Sequence, residues 1–99
     1  KGCIRDYIYI DDVVSANLMA LDGKLQGTFN VSSNIGSYTQ WLLEKIASLM
    51  GVEPDIKRLA GRPGGDIDVS ILSNKKIKGY GCHYGTSLED GLRETIENY

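Results

Sequence analysis

Two short strings hold the side chains best suited to gripping a ligand. They are Arg5-Asp6-Tyr7-Ile8-Tyr9-Ile10-Asp11 near the start and Arg62-Pro63-Gly64-Gly65-Asp66 further along. A guanidinium group offers planar, paired donors that match phosphate oxygens, which an ammonium group does not. Two arginines with hydrogen-bonding neighbours, each at the end of a predicted strand, therefore suit a diphosphate. For Arg5 a plainer reading stands beside this one, a surface strand residue paired with Asp6 or another acid. For Arg62 and Asp66 the plainer reading is a glycine-rich turn with solvated charges.

Other residues with chemical potential are better explained by structure. Asp11 and Asp12 form a carboxylate pair, but at a helix start such residues cap the chain and meet the helix dipole. His83, the sole histidine, lies in a glycine- and tyrosine-rich connection and reads as exposed. Lys75, Lys76 and Lys78 make one solvated helix face. Cys3 and Cys82 are widely spaced, without the partners of a metal site, and read as reduced cytosolic thiols.

The elements that must position the two strings follow from periodicity. Residues 4–10 alternate, with Ile4, Ile8 and Ile10 on one face and Arg5, Tyr7 and Tyr9 on the other, which predicts a strand. A helix capped by Asp11 and Asp12 runs to about Leu21, apolar enough to be covered on most sides, and stops at Asp22-Gly23. Thr28-Phe29-Asn30-Val31 is rich in strand formers and predicts a second strand. Ser37-Tyr38-Thr39-Gln40 predicts a capping box opening a helix that Gly51 ends, with Tyr38, Leu42, Ile46 and Leu49 on its buried stripe. A short strand over 56–59, an alternating strand through Ile67, Val69 and Ile71, and a short helix capped by Ser73 come next. Ser87 then caps a last helix with Leu88, Leu92, Ile96 and Tyr99 on one stripe and a Glu89–Arg93 pair at i,i+4.

Composition sets the class. The chain has 99 residues, 41% of them hydrophobic and 24% charged, which is enough for one folded domain. Net charge of -2 argues against nucleic acid as a partner. The longest apolar run is too short to span a bilayer, and no signal peptide is visible, so the expectation is a cytoplasmic protein. The chain opens with Lys1-Gly2-Cys3 and enters a strand at once, as if cut from something larger.

Taken in order, Arg5-Asp6-Tyr7-Ile8-Tyr9-Ile10-Asp11-Asp12-Val13-Val14, Gly27-Thr28-Phe29-Asn30-Val31-Ser32, Arg62-Pro63-Gly64-Gly65-Asp66-Ile67 and Thr86-Ser87-Leu88-Glu89-Asp90-Gly91-Leu92 resemble the C-terminal part of the extended short-chain dehydrogenase/reductase family. Within that family the chain looks like the nucleotide-sugar epimerases and dehydratases, UDP-glucose 4-epimerase-like. The resemblance implies an α/β fold made of the last helix and strand of a Rossmann-like sheet plus a small α/β substrate-binding lobe. Residues 1–36 would adjoin a dinucleotide-binding domain, and residues 37–99 would form the lobe.

It also implies roles. Arg5 and Arg62 would contact the diphosphate of a nucleotide sugar, Tyr7 would line the nucleotide pocket, and Asp66 would accept from the ribose hydroxyls. Tyr38 stands where relatives place a residue against the base, although an aromatic on a core stripe is more often packing. The chain departs from the family's Arg-x-Gly-Asp spacing by one glycine, read as a longer loop tip, and Gly81-Cys82-His83-Tyr84 replaces the family's Gly-Trp-x-Pro.

The family's NAD-binding Gly-x-x-Gly-x-x-Gly and its Tyr-x-x-x-Lys pair do not occur in this sequence. NAD would be bound by other residues of the full-length enzyme, no catalytic residue is assigned here, and the chain alone is expected to be inactive. A sheet edge and helix face left without their domain are expected to drive self-association. Two other functions stay open: a stand-alone binding or interaction domain, and part of a relative acting on a non-nucleotide substrate.

Overall fold

A computed structural model describes residues 3–54 and 68–99. Arg62, Asp66, the glycines between them and the strand predicted over 56–59 lie outside the described residues. The elements are β1 (Ile4–Asp6), α1 (Ile10–Leu21), β2 (Gly36–Tyr38), α2 (Thr39–Met50), β3 (Val69–Ser70), α3 (Lys75–Gly79) and α4 (Leu88–Glu97). The fold is mixed α/β, as expected.

The sheet is three-stranded in the order β2-β1-β3. β1 pairs antiparallel with β2, Arg5 facing Ser37, and parallel with β3, Arg5 facing Ser70. The strand that carries Arg5 is therefore central, with ladder partners on both sides. β2 straddles position 36, so the first and later parts of the chain share one sheet.

Several local expectations are corrected. The first strand ends at Asp6 rather than Ile10, because α1 already begins at Ile10. Its N-cap is Tyr9, with no side-chain cap, and Asp11 and Asp12 sit inside the first turn. Ser37 does not open a capping box. The ladder to Arg5 holds it in β2, and Tyr38 takes the N-cap position of α2 without a side-chain capping bond.

Thr28-Phe29-Asn30-Val31 is not a strand. Side chains rather than a neighbouring strand bond the backbone at its two ends: Lys76 Nζ donates to the Thr28 carbonyl at 2.8 Å, and the N–H of the adjoining Ser32 donates to the Tyr84 hydroxyl at 3.2 Å. Phe29 meets Tyr80 edge-on at 4.9 Å, with Lys76 over its ring. Phe29 and Val31 pack inward, but inward packing does not require a ladder.

The core is small. Ile77, with no exposed surface, packs with Ala16 and Cys82, ringed by Met19, Leu25, Phe29, Val31 and Tyr84. α1 contributes Ala16 and Met19, while Ile10, Val14, Leu18 and Leu21 stay exposed on another side, so the covering expected for this helix is absent among the described residues. α2 packs on α4, where Lys45 pairs with Glu89. α2 ends at Gly51, whose φ of 72° forms the left-handed terminus expected of glycine. α4 starts at Ser87, whose Oγ accepts from the Asp90 N–H at 3.1 Å, and carries the Glu89–Arg93 pair at 3.3 Å. Among the described residues no helix is long and apolar enough to cross a membrane.

Candidate functional site

Arg5 sits on the middle strand, half-buried, on the face shared with Ser37 and Ser70. Among the described residues, one of its five N–H donors is used, NH1 to the Ile4 carbonyl at 3.0 Å. It forms no ion pair with any of them. The pairing with Asp6, one of the two options of the plainer reading, does not occur, because strand alternation turns the two side chains to opposite faces.

Asp6 is committed elsewhere. Its Oδ1 accepts from the N–H and Oγ of Ser33, and its Oδ2 from the N–H groups of Asn34 and Leu72, at 2.5 to 3.3 Å. A carboxylate with four acceptor positions filled has no call on a neighbouring arginine.

Tyr7 lies just past β1 and lines a cavity of about 220 Å³ with Asp12, Ser33, Ile35, Ser37, Tyr84 and the 85–88 turn. Ser37, the cross-strand neighbour of Arg5, thus joins the arginine's face to the cavity. The floor is fixed by polar bonds. Asp12, buried, accepts from both the N–H and Oγ1 of Thr86, tying the start of α1 to the turn before α4. The Tyr84 hydroxyl donates to the Ser32 carbonyl at 2.8 Å, and Ser32 Oγ donates to the Leu72 carbonyl at 2.8 Å.

This volume is below the range usual for a whole organic ligand, so the cavity can take one portion of a larger molecule. A wider cleft of about 610 Å³ opens beside it, lined by Tyr9, Asp11, Asp90, Glu94 and Glu97 with Arg93. Its charge repels a diphosphate. The Tyr9 hydroxyl is held above its ordinary value, first by burial and then by Asp11, Glu94 and Asp12, which is what an acidic setting does to a phenol. The wider cleft therefore does not suit an anion.

Tyr38 is placed apart. It faces Ile4 across the ladder, on the side opposite Arg5, and lines a separate surface pocket with Gln40, Trp41 and Glu44. The structure thus brings Arg5 and Tyr7 to one side of the site and leaves Tyr38 on another. Missed in the sequence were Ser33, Ser37, Tyr84 and Thr86. The run Ser32-Ser33-Asn34 after Val31 was visible, but it reads only as a strand boundary until Asp6 is seen to hold it.

No glycine occupies the junctions from β1 to α1 or from β2 to α2, so neither offers the phosphate cradle of a dinucleotide site. Among the described residues no cluster of side chains is arranged to hold a metal ion.

No family model matches the chain. It is 30% identical, over 97% of its length, to a trifunctional UDP-glucose 4,6-dehydratase/UDP-4-keto-6-deoxy-D-glucose 3,5-epimerase/UDP-4-keto-L-rhamnose-reductase of Arabidopsis thaliana, of which it covers 15%. It is 31% identical over 77% of its length to the UDP-glucose 4-epimerase of Rhizobium meliloti (strain 1021), covering 24% of it. The structure superposes on the UDP-glucose 4-epimerase of Thermus thermophilus, solved with NAD, at a TM-score of 0.88 and 34% identity, covering 97% of this chain and 30% of that one. The chain belongs to the extended short-chain dehydrogenase/reductase family. It matches the C-terminal part of such chains and spans less than a third of the relatives' lengths. In this family member Arg5 stands on β1, while Tyr7, expected on the same strand, lies just past its end.

Proposed function

We propose that this chain is the nucleotide-sugar-binding part of an NAD-dependent sugar-nucleotide epimerase or dehydratase. The observation that carries the reading is Arg5, a half-buried guanidinium on a central strand, with four N–H donors uncommitted and no ion pair among the described residues. Taking a guanidinium even partly out of water is costly without an anion, and a diphosphate supplies one of matching geometry. Tyr7 and Ser37 line the adjoining cavity and would meet the nucleoside end. Arg62 and Asp66, on sequence grounds, complete the grip on the diphosphate and the ribose. Tyr38 is the weakest member of the set, because it faces away from Arg5.

In the whole enzyme, NAD supplies hydride transfer when bound. No residue of this chain is assigned to hold it, and the chain by itself is inactive. Its part is to bind the non-reacting nucleotide and so hold the sugar in place, which converts binding energy into positioning. Residues 1–36 adjoin the dinucleotide-binding domain, and residues 37–99 are the substrate lobe. The exposed apolar stripe Ile10, Val14, Leu18 and Leu21 supports the first assignment and favours self-association when that surface is bare. Cys3 and Cys82, both free thiols, suit a cytoplasmic setting.

The test is titration of the full-length protein with UDP, dTDP, GDP and CDP sugars. Binding of one series, with conversion of its sugar in the presence of NAD, is the expected result. Absence of affinity for all four overturns the reading, in favour of a non-nucleotide substrate or a domain that only binds other proteins.

A further inference from the structure

We propose that Asp6 is the positioning residue of the Arg5 anion site, an inference that rests on the nucleotide-sugar reading above. An aspartate next to an arginine in sequence is the obvious candidate to neutralise it. Here Asp6 is turned to the opposite sheet face, and its carboxylate gathers four donors: the N–H and Oγ of Ser33 and the N–H groups of Asn34 and Leu72. These donors lie 27, 28 and 66 positions away along the chain.

The receiving loop is shaped to the carboxylate. Asn34 adopts φ of 60°, a left-handed conformation that costs energy in a residue other than glycine. Successive N–H groups around such a residue converge into a concave anion cradle, and in this fold Asp6 occupies it. Two consequences reach Arg5. The acid nearest to it in sequence is removed from competition for its guanidinium, and the strand is fastened on both sides. Ser33 precedes β2, which pairs with Arg5 through Ser37, and Leu72 follows β3, which pairs with Arg5 through Ser70. Ser33 also lines the cavity with Tyr7. The fastening needs an acceptor only, so asparagine, whose amide turns donors toward donors, cannot replace aspartate.

A double-mutant cycle tests this in the full-length protein, with whichever of UDP, dTDP, GDP and CDP it binds most tightly as the calorimetric probe. If Asp6 acts through Arg5, Asp6→Asn weakens binding about tenfold in the native background and less than about twofold in the Arg5→Gln background. Equal losses in both backgrounds overturn the proposal, since a residue that merely supports the fold costs the same with or without Arg5. Should Asp6→Asn fail to fold, Ser33→Ala removes a single donor and must show the same dependence on Arg5. If Arg5→Gln alone leaves affinity unchanged, the nucleotide-sugar reading fails at its own step. If Arg5→Gln weakens binding but the cycle is additive, only the positioning role fails.

Discussion

Gly36 shows how tightly the sheet is closed around the Arg5 strand. A Cβ added there would lie 2.5 Å from Ile71 Cδ1 and 2.7 Å from Ile4 Cγ2, closer than packed atoms come. Gly36→Ala is expected to lower stability by about 1 to 3 kcal/mol, the usual cost of overpacking, measured by denaturant unfolding. An unchanged midpoint would show that β1 and β2 part easily. Arg5 and Asp6 make the contrast at this scale. Both are charged and adjacent, yet one is saturated by the fold and the other is left with donors to spare among the described residues. Their types and spacing were legible in the sequence. The division of labour was not, since it depends on Ser33, Asn34 and Leu72, which reach Asp6 only after the sheet has formed.

Among the elements, α2 and α4 were legible because local signals agreed. Ser87 caps, the apolar stripe of α4 faces α2, and Gly51 ends α2 where a left-handed residue is needed. The segment 28–31 misled because its residues favour strands, while the side chains of Lys76 and Tyr84, drawn from 48 and more positions away, bond the backbone of Thr28 and of the adjoining Ser32. The α2–α4 contact also carries a pH dependence. The Glu89 carboxyl is held below its ordinary value of 4.5, first by hydrogen bonding to Lys45 and then to Arg93. Because the folded value is the lower one, the stabilisation is complete above the unfolded pKa and is lost as pH falls below 4.5 through the folded value. Thermal melts should show native protein losing more stability than Glu89→Gln across that acidic window. Parallel profiles would mean that the clamp is too solvated to matter.

The whole molecule is a slab, 46 × 37 × 17 Å, with a radius of gyration of 15.9 Å where about 13 Å is usual for a compact chain of this length. Few of the described side chains are fully buried, and α1 shows Ile10, Leu18 and Leu21 at 67%, 56% and 83% exposure. A fold so thin has an apolar face to cover. Sedimentation velocity of this chain should therefore show a dimer or larger species, and Leu18→Glu should shift it toward monomer. A clean monomer at high concentration would contradict self-association through this face.

The central strand, the Asp6 fastening and the Tyr7 cavity converge on one proposed act, the grip of Arg5 on the diphosphate of a nucleotide sugar. The most direct measurement is calorimetric titration of native and Arg5→Gln full-length protein with a nucleoside diphosphate and with the matching nucleoside. Loss of a charge-assisted bidentate contact predicts a fall in diphosphate affinity of about ten- to hundredfold, with nucleoside affinity unchanged. Equal affinity of the two proteins for the diphosphate would contradict the account.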